Sequence, residues 1–222
     1  MPRIKIINRS QHMVFLMAGE QLVGCKQNRV LNASMMVPAH SEMPLPVTCV
    51  ERGRWGYSGP VFTSAHSSSH HQLRVMMAGQ AAKSYRQTGM PSADQAAVWR
   101  EVSRKLGTMG SRSSSDALQD VFQDNARKLK ESVEQLPAPA DCNGAVFVIG
   151  GRIAGADLFE SRKHSASSGR SWCHLGLSAT VSDGTIAGPL PLIDFVPNCL
   201  AFLPDRSDPC RDVDFPAKEI EL

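Results

Sequence analysis

The sequence predicts an α+β fold in which mostly antiparallel strands come first, two or more helices follow, and a hairpin comes after them. Three patterns indicate this order. Apolar and polar residues alternate with a period of two over Arg29–Val37. Apolar residues recur at helical spacing between residues 92 and 136. Two short segments, Gly144–Ile149 and Arg152–Phe159, flank Gly150-Gly151, a pair of residues typical of tight hairpin turns.

The first 60 residues carry the strand patterns. A hairpin is expected where Ala18-Gly19-Glu20 separates two short segments of strand-forming residues. Pro44 and Pro46 are expected to interrupt the chain between the last two strands, because proline lacks the N–H that a sheet requires. The predicted strands are Met13–Met17, Gln21–Cys25, Arg29–Val37 and Val47–Arg52.

Two helices are predicted between the two groups of strands. Ser92 and Gln95 have the spacing of a capping box at the start of the first helix, whose apolar face follows from Val98 to Leu106. The second helix is expected to open at Ser113 and Asp116 and to end before Pro137. Its apolar positions are Leu118, Val121, Phe122, Leu129, Val133 and Leu136.

Composition and charge limit the class of protein. Of the 222 residues, 42% are hydrophobic, which is too many for a disordered chain. We expect one domain over residues 1–172 and an irregular, proline-rich, acidic tail over 173–222. Six of the 14 prolines lie between Pro189 and Pro216, and eight acidic against three basic residues give positions 181–222 a net charge of −5.

Segment lengths, cysteine spacing and net charge indicate the expected location and partners of the protein. The apolar segment near the N-terminus is too short for a signal peptide, and the six cysteines form no Cys-x-x-Cys pair, so a cytoplasmic protein with reduced thiols is expected. No segment has the length of a membrane helix. A net charge of +3 without a basic stripe makes nucleic acid an unlikely partner. The sequence identifies no cofactor and leaves the oligomeric state open.

Two polar motifs near strand ends form the candidate ligand site, Gly24–Val30 and Pro46–Trp55. Arginine presents a planar fork to phosphate or carboxylate, amide side chains recognise hydroxyls, and tryptophan offers a stacking face. A carboxylate can act as general base or accept from ribose hydroxyls. We expect Glu51 in that catalytic role, and the expected ligand-binding residues are Gln27, Asn28, Arg29, Arg54 and Trp55.

Other readings of these residues remain open. A set of charged residues at strand ends can equally form a structural ion-pair network, with Trp55 in the core. Cys49 can be a nucleophile or a small buried strand thiol. His66 and His70 have the spacing of metal ligands on a helix, but no third ligand is evident, so no metal site is predicted. The serines around them are typical of a polar helix start.

The two motifs resemble a bacterial family, the ARG and rhodanese-phosphatase-superfamily-associated protein domain. The resemblance rests on Gly19-Glu20, on Gly24-Cys-Lys-Gln-Asn-Arg-Val-Leu and on Pro46-Val-Thr-Cys-Val-Glu-Arg-Gly-Arg-Trp. Ala96-Ala-Val-Trp99 and the hairpin from Gly144 to Phe159 are similar to later parts of the family. The similarity covers about Ile6 to Trp172, and the end of the chain departs from it.

The resemblance implies a role near NAD-derived or ADP-ribosyl metabolites, because the family is named for its association with ADP-ribosylglycohydrolases and phosphatases. Taken with the polar motifs, it leads us to expect a protein that binds a nucleotide-like phosphorylated ligand, with hydrolysis of that ligand left open. Whether the protein is an enzyme stays open. The alternative is a non-enzymatic protein-interaction module that uses a strand edge or the polar strand ends as its surface.

Overall fold

The computed structural model describes residues 3–134, 144–149 and 152–158, and it confirms the predicted α+β class. The described residues belong to two compact units, which divide between Ala126 and Arg127. The strands are β1 (Arg3–Asn8), β2 (Val14–Leu16), β3 (Glu20–Gly24), β4 (Arg29–Leu31), β5 (Met35–Val37), β6 (Ser41–Cys49), β7 (Phe62–Ser68), β8 (Gly144–Ile149) and β9 (Arg152–Leu158). The helices are α1 (His71–Thr88), α2 (Gln95–Met109), α3 (Leu118–Asp124) and α4 (Ala126–Glu134).

The first unit is built on a five-stranded antiparallel sheet in the order β1-β6-β4-β3-β7, with a two-stranded sheet of β2 and β5 beside it. Leu31 lies opposite Val47 in register, so both side chains project from the same face of the sheet. That face belongs to one apolar cluster, to which Val14 and Leu16 of β2 and Val37 of β5 also contribute. The core therefore lies between the two sheets.

The hairpin predicted at Ala18-Gly19-Glu20, between the strands that are now β2 and β3, is wrong. Both strands form, but β2 pairs with β5, whereas β3 pairs with β4 and β7. Gly19, which has a φ of 87°, donates its N–H to Leu31 O at 2.9 Å. The turn at Ala18-Gly19 therefore carries the chain from one sheet to the other and does not fold it back on itself.

Two further strand predictions need correction. The strand expected over residues 29–37 is divided into β4 and β5, because Asn32 turns its side chain to Thr48 Oγ1 at 2.7 Å and to Pro91 O at 3.3 Å. Pro44 and Pro46 do not interrupt the chain but lie within β6. Among the described strands, only β1 pairs with β6 from Ser41 to Pro46. No strand that the structure describes therefore needs N–H groups from the other edge of β6 at the two prolines.

The helical region contains more elements than predicted. Helix α1 begins close to the serines that indicated a polar helix start, but its apolar face was not predicted. Its buried residues, Leu73, Met77 and Ala81, recur at intervals of four. The single helix expected after Ser113 is divided into α3 and α4 at Asn125. Asn125 Nδ2 donates to Val121 O at 2.8 Å, a local bond of the kind that competes with helix continuation.

The start of α2 differs from the predicted capping box. Its N-cap is Asp94, whose carboxylate accepts from Ala96 N at 2.9 Å and Ala97 N at 3.3 Å. Gln95 instead bonds both backbone groups of Cys49, at 3.0 Å to N and 2.8 Å to O. The first residue of α2 thus extends the hydrogen bonding of β6 and fixes the helix to the end of that strand. The apolar face of α2 is confirmed.

The second unit contains the predicted hairpin, since β8 and β9 are antiparallel and Ile149 lies opposite Arg152. The Gly150-Gly151 turn and the predicted tail over 173–222 lie outside the described residues. The single domain over residues 1–172 stays a prediction. Among the described helices, none combines the length and apolar character that crossing a membrane requires.

The cap of α2 gives a direct test of this local structure. Asp94→Ala should lower the free energy of unfolding by about 1 kcal/mol, because two N–H groups at the start of α2 lose their acceptor. Urea denaturation of the wild type and the variant measures the difference. Ser92→Ala, at an exposed residue that makes no cap bond to α2, is the matched control and should change the free energy less. A larger loss for Ser92→Ala would restore the capping box.

Candidate functional site

The polar motifs meet at a buried carboxylate. Glu51 is 3% exposed and accepts four hydrogen bonds. Oε1 accepts from Arg54 Nε at 2.9 Å and from Ser115 Oγ at 2.7 Å. Oε2 accepts from Asn28 N at 2.9 Å and from Arg54 Nη2 at 2.7 Å. Four partners of this kind fill the acceptor capacity of a carboxylate.

The electrostatic effect on Glu51 follows from these contacts. Burial raises the pKa of Glu51, but the hydrogen bonds from Arg54, Ser115 and Asn28 and the charge of Arg54 outweigh it. The pKa therefore lies below its ordinary value, and the side chain is ionised at neutral pH. An ionised carboxylate with a lowered pKa and filled acceptor sites is a good anchor for cations and a weak proton acceptor.

Arg54 is as fully engaged as Glu51. Besides its two bonds to Glu51, the guanidinium donates to groups that come before and after Arg54 in the sequence. These acceptors are the carbonyls of Cys25, Gly24 (3.2 Å) and Gly56 (3.1 Å) and Asn28 Oδ1 (3.0 Å). Arginine has five N–H donors, and all three nitrogens of Arg54 are bonded within the protein.

Strand register brings the two motifs together. Arg29 on β4 lies opposite Cys49 on β6, so Asn28, just before β4, comes beside the chain just after β6. Val50 N donates to Asn28 O at 3.1 Å and continues this pairing beyond the strands. Glu51 in turn forms an isolated antiparallel bridge with Ala117, which brings the segment before α3 to the carboxylate.

Glycine is required where the first motif meets the loop before β7. Gly24 has a φ of 137°, and a Cβ placed on it would lie 2.3 Å from Val61 O. Only a residue without a side chain permits this approach. The next residue, Cys25, also has a positive φ, of 48°, and its carbonyl accepts from Ser58 N at 2.9 Å.

Gln27 and the two cysteines line the same region. Cys49 Sγ donates to Gln27 Oε1 at 3.3 Å, and Gln27 Nε2 donates to Arg52 O at 3.4 Å. Cys25 is 3% exposed and donates to Pro60 O at 3.6 Å. Burial raises the pKa of the Cys25 thiol despite the nearby charges of Arg29 and Arg54, so this thiol is protonated at neutral pH. Both cysteines are free.

Arg29 differs from Arg54 in its contacts. It lies opposite Leu22 and Cys49 in register, and its side chain therefore shares a face with residues of the core. Its Nε and Nη1 atoms are buried and have no hydrogen-bond partner among the described residues. Burial lowers the pKa of Arg29, and the neighbouring Cys25 only partly offsets this. Buried donors without partners are rare in folded proteins, and this feature distinguishes Arg29 from Arg54.

Trp55 lies outside the buried network. It is 69% exposed, and Tyr57, two residues later, is 68% exposed. Both belong to the loop between β6 and β7, which Arg54 holds through Gly56 O, and Lys26 Nζ lies 5.1 Å from the centroid of the Tyr57 ring. The core position considered for Trp55 is therefore wrong.

The structure thus brings five of the six predicted residues close together, but they differ in their hydrogen bonding. Asn28, Glu51 and Arg54 form one network, Gln27 is bonded beside it, and Arg29 keeps donors without partners. The catalytic role of Glu51 stays a prediction.

Sequence reasoning missed the contribution of Ser115, which is 64 positions from Glu51 and carries no local motif. His66 has a φ of 52° and belongs to β7, so it does not share a helix with His70. No group of three candidate metal ligands occurs among the residues that the structure describes.

The two arginines should respond differently to loss of charge. Arg54→Met should lower the free energy of unfolding by about 3 kcal/mol, because it leaves the Glu51 carboxylate buried without its cation. Arg29→Met should leave this free energy unchanged or raise it, because it removes buried donors that have no partner. Urea denaturation of both variants measures the contrast.

Arg86→Met, at an exposed position on α1, controls for a general effect of removing one positive charge. An equal and large loss of stability in the Arg29 and Arg54 variants would mean that both arginines are structural.

The comparisons with known proteins agree with the resemblance of the two motifs. No curated protein and no solved structure matches the chain. Residues 1–171, more than three quarters of the sequence and all of the motifs described above, match one family. The chain belongs to the family of the ARG and Rhodanese-Phosphatase-superfamily-associated Protein domain.

Proposed function

We propose that the protein binds a small anionic ligand, a phosphorylated and nucleotide-like metabolite, at Arg29. The observation that carries the proposal is the half-buried side chain of Arg29, whose Nε and Nη1 atoms are buried and lack partners among the described residues. A planar guanidinium can donate to two oxygens of a phosphate or carboxylate. Leaving these donors without an acceptor is unfavourable, and an anion would remove that cost.

The neighbouring residues support a division of roles. Arg54, which the sequence predicts as a second anion contact, has its donors occupied by Glu51 and by backbone carbonyls. In this proposal it holds the loop, and Arg29 contacts the ligand. Trp55 is exposed and supplies a face for a base. The family's association with ADP-ribosylglycohydrolases supports an ADP-ribose-like or NAD-related ligand, and a cytoplasmic location fits such metabolites.

Hydrolysis is the further part of this proposal and depends on Glu51. A water activated by Glu51 would have to replace one of its four present donors, such as Ser115 Oγ. If the protein hydrolyses ADP-ribose or a related ester, Glu51→Gln should abolish the activity; a variant that keeps both its fold and its rate would remove Glu51 from the chemistry.

Thermal unfolding with AMP, ADP-ribose, NAD or inorganic phosphate tests binding. A ligand at 100 times its dissociation constant adds about 2.7 kcal/mol to the stability of the folded state. For a chain of this size the midpoint should rise by roughly 5–10 °C. The rise should occur in the wild type and in Arg86→Met and be absent in Arg29→Met. An equal rise in Arg29→Met, or no rise in the wild type with any of the four compounds, would contradict the proposal.

Trp55→Ala separates recognition of the base from recognition of the phosphate. The variant should bind inorganic phosphate as the wild type does, because Arg29 is unchanged. It should bind AMP more weakly by roughly 1–3 kcal/mol, the contribution of one stacked base. Equal loss for both compounds would place Trp55 in the fold and not against the ligand.

A second candidate is a protein-interaction module, and the exposed loop favours it. Trp55 and Tyr57 are large aromatic side chains presented by a loop that Arg54 holds in place. Rigid aromatic residues of this kind contribute strongly to protein interfaces. For this function the Trp55→Ala, Tyr57→Ala double variant should lose its partner, and Arg29→Met should keep it.

A further inference from the structure

His70 connects two helices of the first unit. It immediately precedes α1, and it is 0% exposed. Its Nε2 lies 2.7 Å from Oε1 of Glu101 on α2. Its other ring nitrogen, Nδ1, is buried and has no hydrogen-bond partner among the described residues. This contact therefore fixes the beginning of α1 to the middle of α2.

The charge of Glu101 defines the protonation of the ring. Burial raises the pKa of Glu101, but the hydrogen bonds from Arg104 and His70 lower it to about 2. The carboxylate is therefore ionised and can only accept, so Nε2 of His70 must carry the hydrogen of this bond. In a neutral imidazole the remaining nitrogen, Nδ1, then has a lone pair and no hydrogen.

A proton added to Nδ1 would meet an unfavourable environment. Arg104 donates to both oxygens of Glu101, and Lys105, also on α2, is only 1% exposed. Two further charged residues belong to neighbouring segments. Arg74 lies in the first turns of α1, and its N–H donates to His70 O. Glu20 lies on β3, and its carboxylate accepts a hydrogen bond from Ser64 Oγ at 3.2 Å. The positive end of the α1 dipole also disfavours a cation at this position.

We propose that His70 is an acid-sensitive latch: the neutral ring holds the start of α1 against α2, and protonation releases it. A second proton on the ring would be buried without an acceptor and beside two cations of α2. Release of α1 relieves this, because water can then reach the ring. The latch is independent of the ligand proposed at Arg29, because it consists of His70, just before α1, and Glu101 on α2.

The direction of the pH effect follows from the two pKa values. Burial and the charges of Lys105 and Arg104 lower the pKa of His70 in the folded protein, and the contact with Glu101 only partly opposes this. The stabilising effect of the neutral ring is complete above about pH 6.5 and is lost as the pH falls below that value. Glu101, with its pKa of about 2 against an ordinary 4.5, loses its own contribution only below about pH 4.5.

The interval between pH 6.5 and 4.5 therefore isolates the histidines, and His71 must be separated from His70. The pKa of His71 is also lowered, by burial and by Arg74. His70→Gln keeps an N–H for Glu101 but cannot titrate, and His71→Gln is its matched control. Urea unfolding and amide hydrogen exchange of all three proteins at pH 7.5 and 5.5 test the latch.

The wild type and His71→Gln should become less stable at pH 5.5, by up to about tenfold in the unfolding constant per pH unit for one proton. Exchange in the first turns of α1 should rise at pH 5.5 relative to His70→Gln at the same pH. The His70→Gln variant should lose most of this pH dependence. Full wild-type dependence in His70→Gln would overturn the proposal. If that variant does not fold, a ring-proton NMR titration of the wild type decides: His70 must titrate below 6.5, and a value at or above 6.5 would overturn the latch.

Discussion

The buried ion pair between Glu51 and Arg54 is the interaction on which the local structure depends. A carboxylate that is 3% exposed is tolerated only with a cation and a full set of donors. Those donors come from the residue before β4, from the loop after β6 and from the segment before α3. The pair therefore joins segments that are distant in sequence: the residue before β4, the loop after β6 and the segment before α3.

Two arginines close to one buried cysteine have different roles because their contacts differ. Arg54 uses its donors on Glu51, on Asn28 and on three backbone carbonyls. Arg29 keeps two buried nitrogens without partners among the described residues, and its charge is unfavourable where it lies. These donors without partners are the feature on which the proposed anion site at Arg29 rests.

The sequence predicts the class of the fold and the proximity of the candidate residues better than it predicts which strands pair. Asn28 and Glu51 were expected together because both are close to the ends of strands, and the register of β4 with β6 places them so. Strand segments such as β2 and β3 were recognisable from their patterns, but which strands pair depends on contacts such as that of Gly19 with Leu31. No local pattern shows these.

The role of each residue in the candidate site could not be predicted from the sequence for a related reason. Arg29 and Arg54 look alike in the sequence, and only the distances to their neighbours distinguish an occupied guanidinium from an available one. Likewise His70 was considered as a metal ligand by its spacing from His66, whereas its partner, Glu101, is 31 positions away on α2. Hydrogen-bond satisfaction is a property of the folded chain and has no signature in residue type.

We expect an anion to contact Arg29 and to leave Arg54 undisturbed. The most direct measurement is an NMR titration that follows the Nε–H signals of the arginine side chains as AMP is added. The Arg29 signal should move with saturation while the Arg54 signal, held by Glu51, stays in place. Movement of Arg54 with Arg29 unchanged, or no movement of either signal, would contradict the claim.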